Sequence, residues 1–226
     1  MLLLEFVTIW IMIVSYKDYD GNPDESRGSA GGYSMGHSQL EKQKTHERIV
    51  EIASKRLREK GLEGVGVADL MKEAGLTVGG FYKHFASRDE LVAEAMQSAF
   101  GSWEAAVRSE GREPGKVPID EFATVYLSLR HRDNAGGGCP FAALSADLAR
   151  GSEKSRALAT AQMRVNLDNM IERMGGAENE MARRDAIIAS CVMTGALGLA
   201  RISDDEALSN EILETVKDFV TRLGAK

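Results

Sequence analysis

Cysteine is scarce: Cys139 and Cys191 are the only two in 226 residues. They form no CxxC pair and join no Cys/His cluster, so the ligand spacing of a structural zinc site is missing. Such sparing use fits a reducing compartment. Proline is scarce too, at four residues, so helices can run long without losing an N–H donor. No segment alternates apolar and polar residues with period two, and strands have no candidate. Nucleophile elbow, phosphate-binding glycine loop, metal-ligand helix and paired catalytic carboxylates are all missing, which leaves an enzyme reading without a motif. No metal or cofactor is expected.

What is present is ordinary globular composition, 43% hydrophobic and 27% charged, rich in Ala, Leu, Glu, Arg, Lys and Met. These are good helix formers. The net charge of −6 runs against a polyanionic partner. Only local charge matters for such contacts, however, and Met35 to Met96 is neutral, with 10 Lys+Arg against 10 Asp+Glu.

Met1 to Val14 is apolar apart from Glu5 and Thr8. It is shorter than the ~20 residues that span a bilayer. A signal peptide carries a base at its start, whereas the first here is Lys17. Small residues at Gly28–Gly32 imitate a cleavage site, so an exported or membrane-associated interaction protein is one alternative. Gly21 to Ser34 is polar, linker-like sequence. The expectation is that residues 1–34 are an extension outside the fold, with Met35 as the natural start, and that the protein is cytoplasmic.

Apolar periodicity predicts a helix over Gln43–Lys60, carried by Ile49, Ile52, Ala53 and Leu57. Val67–Ala74 follows as a short helix, then a turn through Gly75-Leu76-Thr77, then Val78–Phe85 with Thr77 as its cap. Ser87 to Glu90 is a capping box opening a long helix to about Arg108. Further helices are predicted at Ile119–Arg130, Pro140–Arg150, Ser152–Met174, Asn179–Ala200 and Asp204–Leu223. The last has a capping box at Ser203–Glu206.

Two short helices around a glycine-containing turn are the elements of a helix-turn-helix, here spanning Val67 to Phe85. Phe81 and Phe85 anchor the second helix. Thr77, Val78, Gly79, Gly80, Tyr82, Lys83 and His84 are what DNA would meet. Each glycine costs a helix about 1 kcal/mol against alanine, so Gly79-Gly80 suggests a surface kept bare for another molecule. The bland alternative is a frayed first turn. Thr45 and Arg88, each near a helix start, are candidate phosphate contacts.

The stretch Thr45 to Ala95, with ADLMKEAGLTVGGFYKHFASRDEL at its centre, closely resembles the DNA-binding domain of the tetracycline-repressor (TetR/AcrR) family. The resemblance covers that whole domain. Where the family usually carries a basic residue after the turn, this chain has Val78. The resemblance implies an all-α fold: a three-helix DNA-binding domain at 35–86 and a helical ligand-binding and dimerisation domain at 87–226. It implies a homodimer through the last two helices, operator DNA as partner, and release by a small-molecule effector. Repression rather than activation follows the family's habit.

In the second half, small residues on Asn179–Ala200 and apolar ones on the last helix suit either a dimer seam or ordinary core. Trp103, Phe122, Tyr126, Phe141, Leu144, Met163, Leu167, Met170 and Met193 are candidates to line an effector cavity, or are plain core. No cluster of charges points to a ligand chemistry. Cys139 stands before the helix that starts at Pro140, near Arg130, His131 and Arg132. A helix N-terminus favours a thiolate, so Cys139 reads either as a redox-sensing thiol or as a small residue suiting a tight bend. Cys191 reads as core.

Overall fold

The computed structural model describes residues 34–178 and 181–224. Among these every regular element is helical. In chain order they are α1 (Ser34–Lys60), α2 (Val67–Glu73), α3 (Arg88–Ser109), α4 (Ile119–Tyr126), α5 (Leu129–Asp133), α6 (Pro140–Arg150), α7 (Glu153–Arg173), α8 (Ala182–Ile202) and α9 (Glu206–Gly224). Short 3-10 turns lie at Leu62–Gly64, Val78–Lys83 and Pro114–Lys116. Ser34 apart, the expectation for residues 1–34 lies outside the described residues.

Local chemistry sets several boundaries. Ser87 Oγ accepts the Glu90 amide at 3.1 Å and caps α3 as predicted, while the Glu90 carboxylate reaches back to Ala86 N–H rather than to that of Ser87. Three expectations need correction. α1 begins at Ser34 rather than Gln43, because its first turns carry no apolar stripe; Leu40 there is exposed. The helix predicted over Ile119–Arg130 breaks after Tyr126. Ser128 is extended, and its hydroxyl accepts the His131 amide at 3.2 Å, which starts α5. The last helix is capped by Asp205, whose Oδ1 accepts the Leu208 amide at 3.1 Å, while Ser203 Oγ accepts the Asp205 amide instead.

Apolar burial builds two core clusters. In the first, Ile49, Ala53 and Leu57 of α1 meet Leu70 and Met71 of α2, Phe81, Phe85, and Leu91, Ala95 and Phe100 of α3. Leu144 and Leu148 of α6 and Ala159 of α7 extend it. Each buried Leu or Phe is worth roughly 1.5–3 kcal/mol. The second joins Ile119 and Ala123 of α4, Met170 of α7, and Leu213, Val220 and Leu223 of α9 around α8. There α8 offers Ala182, Ala186, Ala189, Met193, Ala196 and Ala200, a nearly unbroken small-residue stripe that lets neighbouring helices approach closely. By length and composition α8 could cross a membrane; here it is the central helix of this cluster. Its opposite face carries Cys191, which is exposed, not core as expected. The helix is apolar all round, so its composition could not say which face is covered.

Candidate nucleic-acid interface

The turn between α2 and the 3-10 segment is built by Gly75. Its φ of +69° is left-handed backbone, which glycine adopts without steric cost. That bend lets Gly75 N–H reach the Lys72 carbonyl (3.0 Å) and Leu76 N–H reach the Met71 carbonyl (2.8 Å), closing the end of α2. The chain then re-enters helical geometry at Val78.

Val78–Lys83 is a 3-10 rather than an α-helix. Gly80 N–H bonds the Thr77 carbonyl and His84 N–H the Phe81 carbonyl, both at 2.9 Å. Two adjacent glycines leave little α propensity to resist the tighter winding. Phe81 and Phe85 are each 1% exposed and fix the segment from behind, whereas Tyr82 is 74% and Val78 50% exposed. Thr77, Gly79 and Lys83 are exposed beside them; Gly80 and His84 are half-buried. A Cβ on Gly79 would meet nothing within 4 Å, and one on Gly80 would touch only Met71 and Thr77 at ordinary contact distance. Packing inside the protein therefore does not demand glycine at either position.

Other site residues fall differently. Thr77 occupies the cap position with extended backbone, but its hydroxyl makes no capping bond. Thr45 lies about three turns inside α1, away from the free amides expected to attract phosphate. Arg88 is turned inward, its Nε donating to the Val65 carbonyl (3.0 Å) and Nη2 to that of Leu62 (2.6 Å). It ties the start of α3 to the loop before α2.

Behind the segment, His46 of α1 stacks on Phe85 at 4.5 Å and bonds Glu94 of α3 at 2.6 Å. The His84 ring stands 6.1 Å from that of His46, with its Nδ1 buried and unbonded. Burial, then the charges of His46, Lys42 and Lys83, hold the His84 pKa below its ordinary value. These histidines were not foreseen as a pair; they are far apart in sequence, and the fold brings both rings to Phe85.

Residues 49–95 match the family of bacterial regulatory proteins, tetR family. The match covers the segment that carries the helix-turn-helix. It is 29% identical over 170 residues to the HTH-type transcriptional regulator Rv0196 of Mycobacterium tuberculosis, spanning 70% of this chain and 85% of that one. The HTH-type transcriptional regulator PksA of Bacillus subtilis is 36% identical over 59 residues, 26% of this chain and 29% of that protein. The fold is shared with E. coli NemR in its reduced form (TM-score 0.64, 19% identity, 80% of this chain and 96% of that one). It is shared also with a TetR-family regulator of Cytophaga hutchinsonii (TM-score 0.66, 18% identity, 82% and 98%). Both curated relatives are named as transcriptional regulators, and this chain is a transcriptional regulator rather than an enzyme.

In the helical remainder of the chain, the candidate effector residues do not form one cluster. Trp103 meets Phe122 edge to face at 5.1 Å, and Phe122 lies 5.7 Å from Tyr126. Leu167, Met170 and Met193 join the second core. Phe141, stacked on Phe100 at 5.0 Å, and Leu144 belong to the first core. Met163 is 49% exposed. The expected absence of a charged cluster is corrected by Arg173, which lies over Trp103 and Phe122, and by the buried Glu104, whose charge it senses. One signal was legible: Glu104 sits between Phe100 and Val107 on the buried stripe of α3.

Cys139 precedes α6 within a polar junction. Its amide donates to His131 Nε2 (2.8 Å), so the ring proton resides on Nδ1, which donates to the Tyr126 carbonyl (2.6 Å). Arg58 of α1 and Arg201 of α8 both feel the Cys139 thiol, and burial lowers both guanidinium pKa values, that of Arg58 to about 10. Burial, then Cys139, holds the Tyr126 phenol well above its ordinary range.

Proposed function

We propose that this protein is a ligand-responsive repressor that binds a palindromic operator as a homodimer and acts in the cytoplasm. The observation that carries the reading is the surface of Thr77, Val78, Gly79, Tyr82 and Lys83, exposed together on a segment anchored by Phe81 and Phe85. Tyr82 and Lys83 supply donors to phosphate oxygens, and Gly79 leaves the backbone open to close approach. The DNA-binding domain is taken as residues 35–86 and the regulatory domain as 87–226.

Dimerisation is supported by the outer face of α8. Ile188, Cys191, Gly195, Gly198 and Ile202 recur at alternating spacings of three and four, the seam pattern of paired helices. Ile188, Cys191 and Ile202 are exposed, and Cβ atoms on Gly195 and Gly198 would meet nothing. Leu208 and Phe219 continue the exposed apolar surface on α9. A two-fold dimer sets its reading segments about 34–36 Å apart, one DNA turn. An effector then favours a second dimer shape by binding it more tightly, with α3 joining the reading segment to the regulatory half.

A second reading of the effector is a thiol-reactive molecule at Cys139, favoured by its place between Arg58, Arg201 and Tyr126. Replacing Cys139 with Ser then abolishes release by an electrophile and leaves operator binding intact.

The test of the main reading is fluorescence anisotropy with DNA flanking the gene, across a salt series, alongside sedimentation of the free protein. A dimer that binds a palindrome and weakens steeply with salt supports it. A monomer, or salt-insensitive binding, counts against it. A promoter–reporter assay separates repression from activation.

A further inference from the structure

A buried carboxylate and a buried guanidinium in the regulatory half each keep a polar atom without a partner. Glu104 of α3 is 5% exposed. Its Oε1 accepts from Gln162 Nε2 of α7 at 2.9 Å, while Oε2 is sealed from solvent and bonded to nothing. Arg173, at the end of α7, donates through Nη2 to the Pro114 carbonyl, and its Nε is likewise buried and unbonded. The guanidinium lies 4.3 Å from the centroid of Phe122 and 5.1 Å from that of Trp103. Leaving either atom unmatched destabilises the fold. The two charges sense each other, yet the orphaned atoms do not bond to one another. Trp103, Phe122 and Arg173 are each half-buried, so the aromatic box is reached from the surface.

We propose that Glu104 and Arg173 form the polar end of the effector site. The effector is an aromatic molecule whose head carries a hydrogen-bond donor beside an acceptor, as a carboxamide does. The donor meets Glu104 Oε2, the acceptor meets Arg173 Nε, and the ring lies against Trp103 and Phe122. A simple cation would satisfy Glu104 but face Arg173 with like charge; a simple anion has the converse fault. This deepens, and rests on, the ligand-responsive reading above.

Benzamide, benzoate and benzylammonium carry one ring and three different heads. Each is titrated into the full-length protein, with the Trp103 indole N–H signal followed by NMR. Benzamide is expected to bind about tenfold more tightly than either ion, and Glu104→Leu to abolish the difference. Equal binding of the three probes, or no binding of any, overturns the proposal. Operator binding by the unmodified protein is measured in parallel. If it persists while benzamide fails, this inference falls alone; if it is absent, the repressor reading falls.

Discussion

Arg58 of α1 donates through Nε to the backbone carbonyl of Gly136, 2.6 Å away, and so joins the helix that buttresses the DNA-reading segment to the loop that carries Cys139. The loop lies so close that a Cβ on Gly136 would fall 2.5 Å from Glu59 Oε1 and 2.8 Å from Lys55 Cγ. Arg58→Ala strips a part-buried carbonyl of its donor, and a loss of about 1–3 kcal/mol is expected. Gly136→Ala forces the loop outward at a similar cost of about 1–3 kcal/mol. Urea denaturation reads both, and an unchanged midpoint in either variant contradicts the junction.

Gly79 separates folding from function. Alanine there meets open space and reduces the entropy of the unfolded chain, so stability is expected to rise by about 0.4–1 kcal/mol. The added methyl stands on the surface offered to DNA, and operator affinity should fall. A variant that is more stable and binds DNA as well as the parent shows that the bare surface has no role in recognition.

Lys83 and Arg88 lie five residues apart and should behave oppositely. Lys83→Ala is expected to reduce the salt slope of operator binding by about one and to leave stability unchanged. Arg88→Ala abandons the carbonyls of Val65 and Leu62 and should cost about 1–3 kcal/mol of stability. Anisotropy across a salt series and thermal denaturation of both variants decide the assignment; a lower salt slope in a fully stable Arg88→Ala reverses it.

Burial lowers the His131 pKa from 6.5 to about 4, only partly opposed by its bond to the Tyr126 carbonyl. The folded protein keeps the ring neutral, while the unfolded chain takes up a proton below its ordinary pKa. Between those values the unfolded state binds more protons, so stability rises with pH across the window. The contribution, about 3 kcal/mol, is complete above pH 6.5 and is lost as pH falls toward about 4. Denaturation at several pH values, with His131 followed by NMR, tests it. An imidazole that titrates near 6.5 in the folded protein rules it out.

The Cys191 thiol reports on assembly. Cys191 is exposed on the seam face of α8 in the single chain. In the proposed dimer it is covered, so a maleimide reagent should label it slowly. Ile188→Glu is expected to produce monomers and speed that labelling about tenfold or more, in step with the sedimentation change. Fast labelling of Cys191 in a stable dimer places the interface elsewhere.

Much of this was legible along the chain because it depends on neighbours in sequence. The stripe of Ile49, Ala53 and Leu57, the glycine turn at Gly75 and the cap at Ser87 are all local signals. Even the glycine pair on the reading segment could be weighed before any fold was known, since glycine's cost to a helix is a property of the residue. The break at Ser128 was not legible, because the run from Ile119 to Arg130 keeps its apolar period straight through it. The bonds of Arg88 were not legible for a related reason. A base in the first turn of a helix looks the same in sequence whether it faces phosphate or the carbonyls of Leu62 and Val65.

By itself, then, the sequence determined the helical class, the helix-turn-helix and the family resemblance of that segment, each carried by short-range pattern. Only the tertiary structure decided which face of α8 is covered, which candidate ligand residues share a cluster, and that His131 and Cys139 meet Arg58 and Arg201. It alone decided, too, that Glu104 and Arg173 sense each other's charge while each keeps an unmatched polar atom. Those outcomes turn on how helices distant in sequence pack, and on which buried donors find acceptors when they do. Composition and periodicity do not carry that information.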